Sequence, residues 1–227
     1  MPQPAKSLHE RLEPLKRRLV NEATMAVDMI ERSLEALWGL DVEAAGAVRQ
    51  HDDRIDLEEV AIEAECYELL TLGQPVARDF RRIAFVLKVN ADVERVADHA
   101  VSIAKVIPEL AAHPPRPWPT ALQELRERVP LICHALLRAM LDEDDEAARE
   151  IVRSDKIIDR LDRRLLGEVT ELMSREPGLL TTGILIYRIG RELERIGDLM
   201  ANIAEDVIYL VTGEIVRHAK RRKPQGG

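Results

Sequence analysis

Apolar residues recur along most of the chain at steps of three and four positions, the spacing that places them on one face of an α-helix. In the first segment they are Leu12, Leu15, Leu19, Ala23, Ala26, Met29, Ile30, Leu34 and Leu37. Comparable runs predict six long helices, over residues 7–38, 41–71, 75–107, 120–141, 144–176 and 178–210. No strand pattern competes with this spacing, so the sequence predicts an all-α protein.

A proline-rich stretch divides the chain into two parts of similar length. It holds Pro108, Pro114, Pro115, Pro117 and Pro119, and proline is unable to continue a regular helix without losing a hydrogen bond. We therefore predict a first three-helix unit at residues 1–110, a connection at residues 111–118, and a second unit at residues 119–227.

The two units repeat each other. LDVEAAGAVRQHDDRID (40–56) aligns without a gap with EDDEAAREIVRSDKIID (143–159), an offset of 103 positions. ADVERVADHAVSIAKVI (91–107) aligns with RELERIGDLMANIAEDV (191–207), an offset of 100 positions. Because the offset is nearly constant over two separate helices, we predict two tandem three-helix bundles related by an approximate two-fold axis.

Each unit carries acidic residues in pairs four positions apart, which share one helix face. The pairs are Asp52 and Asp56, Glu94 and Asp98, Asp155 and Asp159, and Glu194 and Asp198. Two such pairs facing each other across a helix contact would repel unless a cation lay between them. Their oxygen atoms suit a hard cation such as magnesium, calcium, manganese or iron. Spacing alone leaves open a second interpretation, in which these are solvated acids neutralised by Arg95 and Arg195.

The composition narrows the class of protein. Hydrophobic residues make up 46% of the 227 residues, charged residues 33% and aromatic residues 3%, as is usual for a helical protein with a sizeable core. The net charge of −8 argues against general nucleic-acid binding, which needs a basic surface. No signal-peptide core and no apolar run that could span a bilayer are found. We therefore expect a cytoplasmic protein without membrane insertion, with Cys66 and Cys133 as buried thiols and a solvated basic tail at 217–227.

Two long segments resemble the PhoU family of phosphate-specific transport accessory and regulatory proteins. ERIGDLMANIAEDVIYLVTGEIVRH (194–218) is similar to the C-terminal signature of that family, and PVARDFRRIAFVLKVNADVERVADHAVSIA (75–104) to its pattern in the first half. The resemblance covers essentially the whole chain. It implies two three-helix bundles, each with an E(D)xxxD motif that binds a multinuclear metal cluster in some members.

Carried over by position, the resemblance assigns metal ligands to both halves. The motif falls on Glu94 and Asp98 and on Glu194 and Asp198, and the aspartates of the second helices fall on Asp52, Asp56, Asp155 and Asp159. The implied metals are divalent or trivalent ions: iron, manganese or magnesium. The first half has Ala97 and Ser102 where the second half has Gly197 and Asn202, so we expect the two sites to differ in occupancy.

The resemblance also implies a function. It predicts a metal-binding adaptor, not an enzyme, that regulates phosphate uptake and phosphate-starvation signalling. Its implied partners are the ATPase subunit of a phosphate ABC transporter and a phosphate-sensing histidine kinase, and a homodimer is expected. The sequence has no GxxxxGK[ST] phosphate loop and no nucleophile–base motif, which favours the adaptor. The alternative is a metalloenzyme that acts on phosphate compounds at the carboxylate clusters.

Overall fold

Six α-helices form the fold in a computed structural model, which describes residues 8–114 and 117–216. They are α1 (Leu8–Gly39), α2 (Val42–Gly73), α3 (Ala77–Ala111), α4 (Thr120–Asp142), α5 (Asp145–Arg175) and α6 (Leu180–Thr212). A 3₁₀ turn, Pro177–Leu179, leads into α6. The described residues contain no strand, so the predicted all-α class is confirmed. The basic tail at 217–227 lies outside the described residues.

The helices pack as two three-helix bundles. In the first half α1, α2 and α3 all contact one another, and in the second half α4, α5 and α6 do the same. The halves meet through α3 against α6 and through α1 against α4. Each helix at this interface thus contacts the helix that matches it in the other half, as the predicted two-fold relation requires.

The repeat extends to the turns that start the second helix of each half. Asp41 and Asp144 are the N-caps of α2 and α5, and each side chain accepts a hydrogen bond from the backbone N–H three residues later, at 2.9 and 3.0 Å. The residues before them, Leu40 and Glu143, have φ of 48° and 53° in the left-handed region. The first two helices of both halves are therefore joined by the same turn, a residue in the left-handed region followed by an aspartate N-cap.

Prolines interrupt the helices less than the sequence suggests. Pro108 lies inside α3, which continues to Ala111, four residues beyond its predicted end. Pro14 and Pro130 lie inside α1 and α4. Proline costs a helix the hydrogen bond of its missing N–H. Here Ile107 and Leu110 on either side of exposed Pro108 are buried, so packing of the last turn outweighs that loss.

The apolar faces of all six helices close on a continuous core. Cys66 and Cys133 lie in it as free thiols, and burial raises the pKa of each thiol to about 12. This confirms the prediction of two buried cysteines. Among the described helices, none carries an apolar stretch that would reach across a bilayer.

Candidate metal sites

The predicted carboxylates of the second half come together where α5 packs on α6. Gly197 permits the close approach, because a Cβ atom at this position would lie 3.0 Å from Cγ2 of Ile158 on α5. Asp155, Asp159 and Asp198 each offer an oxygen atom, and these atoms all lie within 4.8 Å of one another. One cation with oxygen ligands at about 2.1–2.6 Å can bridge atoms at that separation.

The electrostatics of these carboxylates favour a bound cation. Burial, and then the charge of Asp159, raises the pKa of Asp155. Partial burial, and then the charges of Asp155 and Asp159, raises the pKa of Asp198. A side-chain hydrogen bond between Asp155 and Asp198 acts to lower the pKa of Asp155 and to raise that of Asp198. The Oδ1 atom of Asp155 is buried and has no hydrogen-bond partner among the described residues by distance and angle. A buried carboxylate oxygen without a donor, among acids that repel each other, fits a hard cation.

Glu194 lies beside this trio and is partly neutralised by an arginine. The Nη1 atom of Arg191 lies 3.0 Å from Oε1 of Glu194 and 3.1 Å from Oδ2 of Asp162. Burial and the charge of Asp198 still raise the pKa of Glu194, although Arg191 acts in the opposite direction. Its Oε2 atom is buried and accepts no hydrogen bond from the described residues. One oxygen of Glu194 thus contacts Arg191, and the other is left without a donor.

The acids of the first half also act on one another across a helix contact. Burial, followed by the charges of Asp56 and Asp98, raises the pKa of Asp52 on α2. Burial, followed by the charges of Asp98 and Asp56, raises the pKa of Glu94 on α3. Within residues 8–114, however, no three potential ligands approach as closely as the trio of the second half. The two halves therefore present the same acid pairs at different spacing.

Two arginines that could neutralise the acid pairs are bonded to other acids. Arg95 lies 3.1 Å from Asp92, and Arg195 lies 3.4 Å from Glu192, each three residues back on its own helix. The ion pairs of these arginines are thus formed with acids outside the predicted sites. Metal binding by the eight predicted carboxylates stays a prediction.

Four charged residues near these sites escaped the sequence reasoning: Glu22, Glu59, Asp162 and Arg191. Glu22 carried a detectable signal, since it follows Leu19 by three positions and precedes Ala26 by four, on the apolar face of its helix. Arg191 carried another, because the repeat aligns it with Ala91. In the first case an acid stands on an apolar helix face, and in the second an arginine stands where the other half has alanine.

The model of one protein family, the PhoU domain, matches the chain twice. The matches cover residues 19–107 and 122–207. One lies in each three-helix bundle, and together they contain all eight predicted ligands.

Three bacterial proteins are similar to this chain over nearly its whole length. The phosphate-specific transport system accessory protein PhoU homolog of Deinococcus radiodurans is 34% identical over 210 residues, covering 91% of this chain and 99% of that protein. The crystal structure of PhoU from Pseudomonas aeruginosa has a TM-score of 0.86 at 31% identity, covering 89% and 98% of the two chains. The crystal structure of the phosphate transport system regulatory protein PhoU from Streptococcus pneumoniae has a TM-score of 0.85 at 28% identity, covering 92% and 99%.

Proposed function

This chain belongs to the PhoU domain family, and we propose that it regulates phosphate uptake and phosphate-starvation signalling as a metal-binding adaptor. The observation that carries the proposal is the double family match, one in each bundle. The names of its relatives, which are accessory or regulatory proteins of phosphate transport, support the pathway. The adaptor acts by contact with other proteins and has no turnover of its own.

The metal-binding part of the proposal rests on the acid pairs of both halves. Iron, manganese or magnesium would be held by the acids of α2 and α3 in one half and of α5 and α6 in the other. A bound cation supplies positive charge between these helices. The orphaned oxygens of Asp155 and Glu194 and the raised pKa values of the neighbouring acids support this part, because a cation relieves both.

The proposed partners are the ATPase subunit of a phosphate ABC transporter and a phosphate-sensing histidine kinase. We further propose a cytoplasmic location, where both partners would present domains, and a homodimer. The pathway named for the relatives supports this choice of partners.

A deletion strain tests the regulatory role. A cell without this protein should express phosphate-uptake genes when phosphate is plentiful, and the intact gene on a plasmid should restore repression. Normal repression in the deletion strain, with no second copy of the gene present, would overturn the adaptor proposal.

The double variant Glu194→Ala/Asp198→Ala tests whether the acid pair serves regulation. We expect it to fail in restoring repression in that strain. The matched control is Glu146→Ala/Glu150→Ala, a pair of exposed acids at the same spacing on α5, which should restore repression fully. Equal repression by both variants would show that Glu194 and Asp198 are not needed for regulation.

The metalloenzyme alternative has its own test. Protein loaded with Mn²⁺ is assayed on phosphomonoesters and phosphodiesters, alongside the Glu194→Ala/Asp198→Ala variant. The adaptor proposal expects no turnover above the metal alone. Turnover by the natural protein that is lost in the variant would overturn the adaptor proposal in favour of the metalloenzyme.

A further inference from the structure

The outward face of α2 carries apolar side chains that stay exposed. Leu57 is 73% exposed, Val60 60% and Tyr67 54%. Steps of three and seven residues place these side chains on one face of the helix, and the exposed Ala64 lies between them on that face. Within the described residues α2 contacts only α1 and α3. We call these four residues the α2 stripe.

The second half shows that the fold does not need apolar residues at these positions. Buried residues of α2 and α5 match at an offset of 103 positions, as Ile55 does with Ile158 and Ile62 with Leu165. At the same offset the α2 stripe matches four exposed residues of α5: Arg160, Arg163, Gly167 and Thr170. The two helices thus share their buried positions and differ in their outward ones. Packing of the bundle therefore does not account for the α2 stripe, and a contiguous exposed apolar surface marks an interaction site.

Three acids border the α2 stripe. Asp53, Asp56 and Glu63 each precede a residue of the stripe by four positions, and so lie beside it on the helix surface. In the part of the chain that the structure describes, no lysine or arginine forms an ion pair with any of the three. The hydroxyl of Tyr67 donates a 2.9 Å hydrogen bond to Glu63. The stripe therefore combines apolar surface with negative charge that is open to an outside cation.

The acids on the other side of α2 are already neutralised by α1. Arg18 lies 2.8 Å from Glu58 and 2.8 Å from Glu65, and Arg11 lies 2.7 Å from Glu68. The helix α2 has nine acidic and two basic residues, whereas α5 has eight acidic and seven basic residues. The negative charge that α1 leaves unpaired thus lies along the α2 stripe.

We infer that the α2 stripe and its three acids dock an amphipathic helix of a partner protein, one that carries apolar residues on one face and lysine or arginine beside them. The apolar residues pack on the stripe, and the cations pair with the three carboxylates. A helix such as α2 has no free backbone edge, so the partner is not an added strand. From Asp53 to Tyr67 the surface is about 21 Å long at a rise of about 1.5 Å per residue, the length of about four turns of a partner helix.

This partner fits better than a second copy of the chain. The basic residues of α5 are complementary in charge to α2, but α2 contacts only helices of the first half and α5 only elements of the second half within the described residues. A contact of α2 with the α5 of another copy would therefore join different surfaces head to tail, which does not close into the proposed homodimer. The inference rests on the adaptor part of the proposed function and adds the surface and the chemistry of the partner.

Peptide binding tests the inference. The probe is a synthetic helical peptide of about 18 residues, or five turns, with leucine on one face and lysine beside it. A fluorescent label reports its binding to the full-length protein by anisotropy. The control peptide has glutamate in place of every lysine. The natural protein should bind the lysine peptide and not the glutamate peptide, and equal binding of the two would contradict the pairing with the acids.

Two matched double variants locate the binding surface. Leu57→Arg/Val60→Arg gives α2 the residues of α5, so it should fold, and it should bind the lysine peptide about tenfold or more weakly. The control, Leu131→Arg/Leu166→Arg, adds the same charge at two exposed leucines of α4 and α5 and should bind like the natural protein. Circular dichroism and the unfolding midpoint show that both variants fold. Equal losses in the two variants would overturn the inference, because net charge would then govern binding.

A third variant tests the acids. Asp53→Asn/Glu63→Gln keeps the shape of both side chains and removes two charges. It should weaken binding of the lysine peptide and make the affinity less dependent on NaCl concentration. The same affinity and the same salt dependence as in the natural protein would contradict the assigned role of these acids.

Complementation of the deletion strain separates this inference from the proposed function. Leu57→Arg/Val60→Arg should fail to restore repression, whereas Leu131→Arg/Leu166→Arg should restore it. Full repression by the folded Leu57→Arg/Val60→Arg protein would overturn the docking surface and leave the regulatory role standing. If the deletion itself leaves repression normal, the regulatory role falls and the peptide titrations decide the surface. Self-association of the natural protein in sedimentation, lost in Leu57→Arg/Val60→Arg, would overturn the partner helix in favour of a second copy.

Discussion

Lys16 on α1 donates a 2.9 Å hydrogen bond to Glu143 in the turn between α4 and α5, and so joins the two halves. Arg82 of α3 lies 3.7 Å from the same carboxylate oxygen. The side chains of Lys16 and Glu143 are 18% and 22% exposed, so the pair is shielded from much of the solvent. This contact connects two helices of the first half to the second at a point remote in sequence.

We expect Glu143→Gln to weaken the joint in a pH-dependent way. Burial acts to raise the pKa of Glu143, but the hydrogen bond from Lys16 and the charges of Lys16 and Arg82 outweigh it and hold the pKa below its usual range. The stabilisation is therefore present above the unfolded-state pKa of about 4.5 and is lost as pH falls through the folded-state pKa. At pH 7 the variant should lose about 1 kcal/mol in the free energy of unfolding.

Urea unfolding at pH 7 and at about pH 3.5 measures this difference. The difference in the free energy of unfolding between the variant and the natural protein should be smaller at the lower pH. The control is Glu171→Gln, which removes an exposed pair with Arg175 within α5 and should change little at either pH. A loss at Glu143 of the same size at both pH values would contradict the assigned role of its charge.

Asp155→Asn should have opposite effects with and without metal. Because the pKa of Asp155 is raised, its contribution to stability is present below its unfolded-state pKa near 4 and is lost as pH rises through the folded-state pKa. The metal-free variant should thus be more stable than the natural protein at pH 8 and similar to it at about pH 4. Added Mn²⁺ should reverse the order at pH 8. Chemical denaturation of chelator-treated protein shows whether this reversal occurs.

Trp118→Leu should loosen the connection between the halves. The rings of Trp118 and Trp38 stack with centroids 4.9 Å apart, and Cζ of Arg126 lies 4.4 Å from the centroid of the Trp38 ring. The variant should lose about 1 kcal/mol or more in the free energy of unfolding, and Arg126→Met about 0.5–1 kcal/mol. These are the two tryptophans of the chain, so intrinsic fluorescence reports the contact directly. The control is Arg128→Met, at an exposed position of α4, the helix that also carries Arg126. It should leave the tryptophan emission unchanged.

Gly197→Ala should weaken cation binding in the second half. The added Cβ would lie 3.0 Å from Ile158 Cγ2, so the side chain of Ile158 on α5 must give way by a few tenths of an ångström beside the acid pairs. The gain of about 1 kcal/mol in helix propensity does not restore the spacing of Asp155 and Asp198. We expect Mn²⁺ affinity at that site to fall by about tenfold, while Ala97→Gly in the first half leaves it unchanged. Equal affinity of Gly197→Ala and the natural protein would show that the helix approach does not set the site.

The helices and the repeat could be predicted from the sequence because both depend on local spacing. Turns of 3.6 residues fix which side chains share a face, and a duplication preserves that spacing. The predicted end of α3 before Pro108 was wrong, because the expectation that proline ends a helix considers only local backbone bonds. The burial of Ile107 and Leu110, which keeps the last turn helical, depends on contacts with other helices.

The acid pairs and Glu22 show the same difference between features that follow from local spacing and features that follow from helix packing. The i, i+4 spacing of Asp155 and Asp159 placed them on one face, and the structure brings Asp198 to them. What lies opposite Glu22 depends on how α1 crosses α2 and α3, and no spacing within α1 encodes that crossing. Likewise Arg191 could reach a neighbour on either side of its helix, and the packing of α5 decides that it contacts Asp162.

The contact of α3 with α6 and of α1 with α4 carries a historical meaning. A surface that meets its own copy is the contact rule of a two-fold symmetric dimer, so the molecule has the form of an ancestral homodimer fused into one chain. In a single chain the association of the two halves is intramolecular and therefore independent of protein concentration. Two copies within one chain can also differ in sequence. A homodimer with a buried glutamate at one position must bury two, whereas this chain buries Glu22 in one half and, 103 positions later, Leu125 in the other.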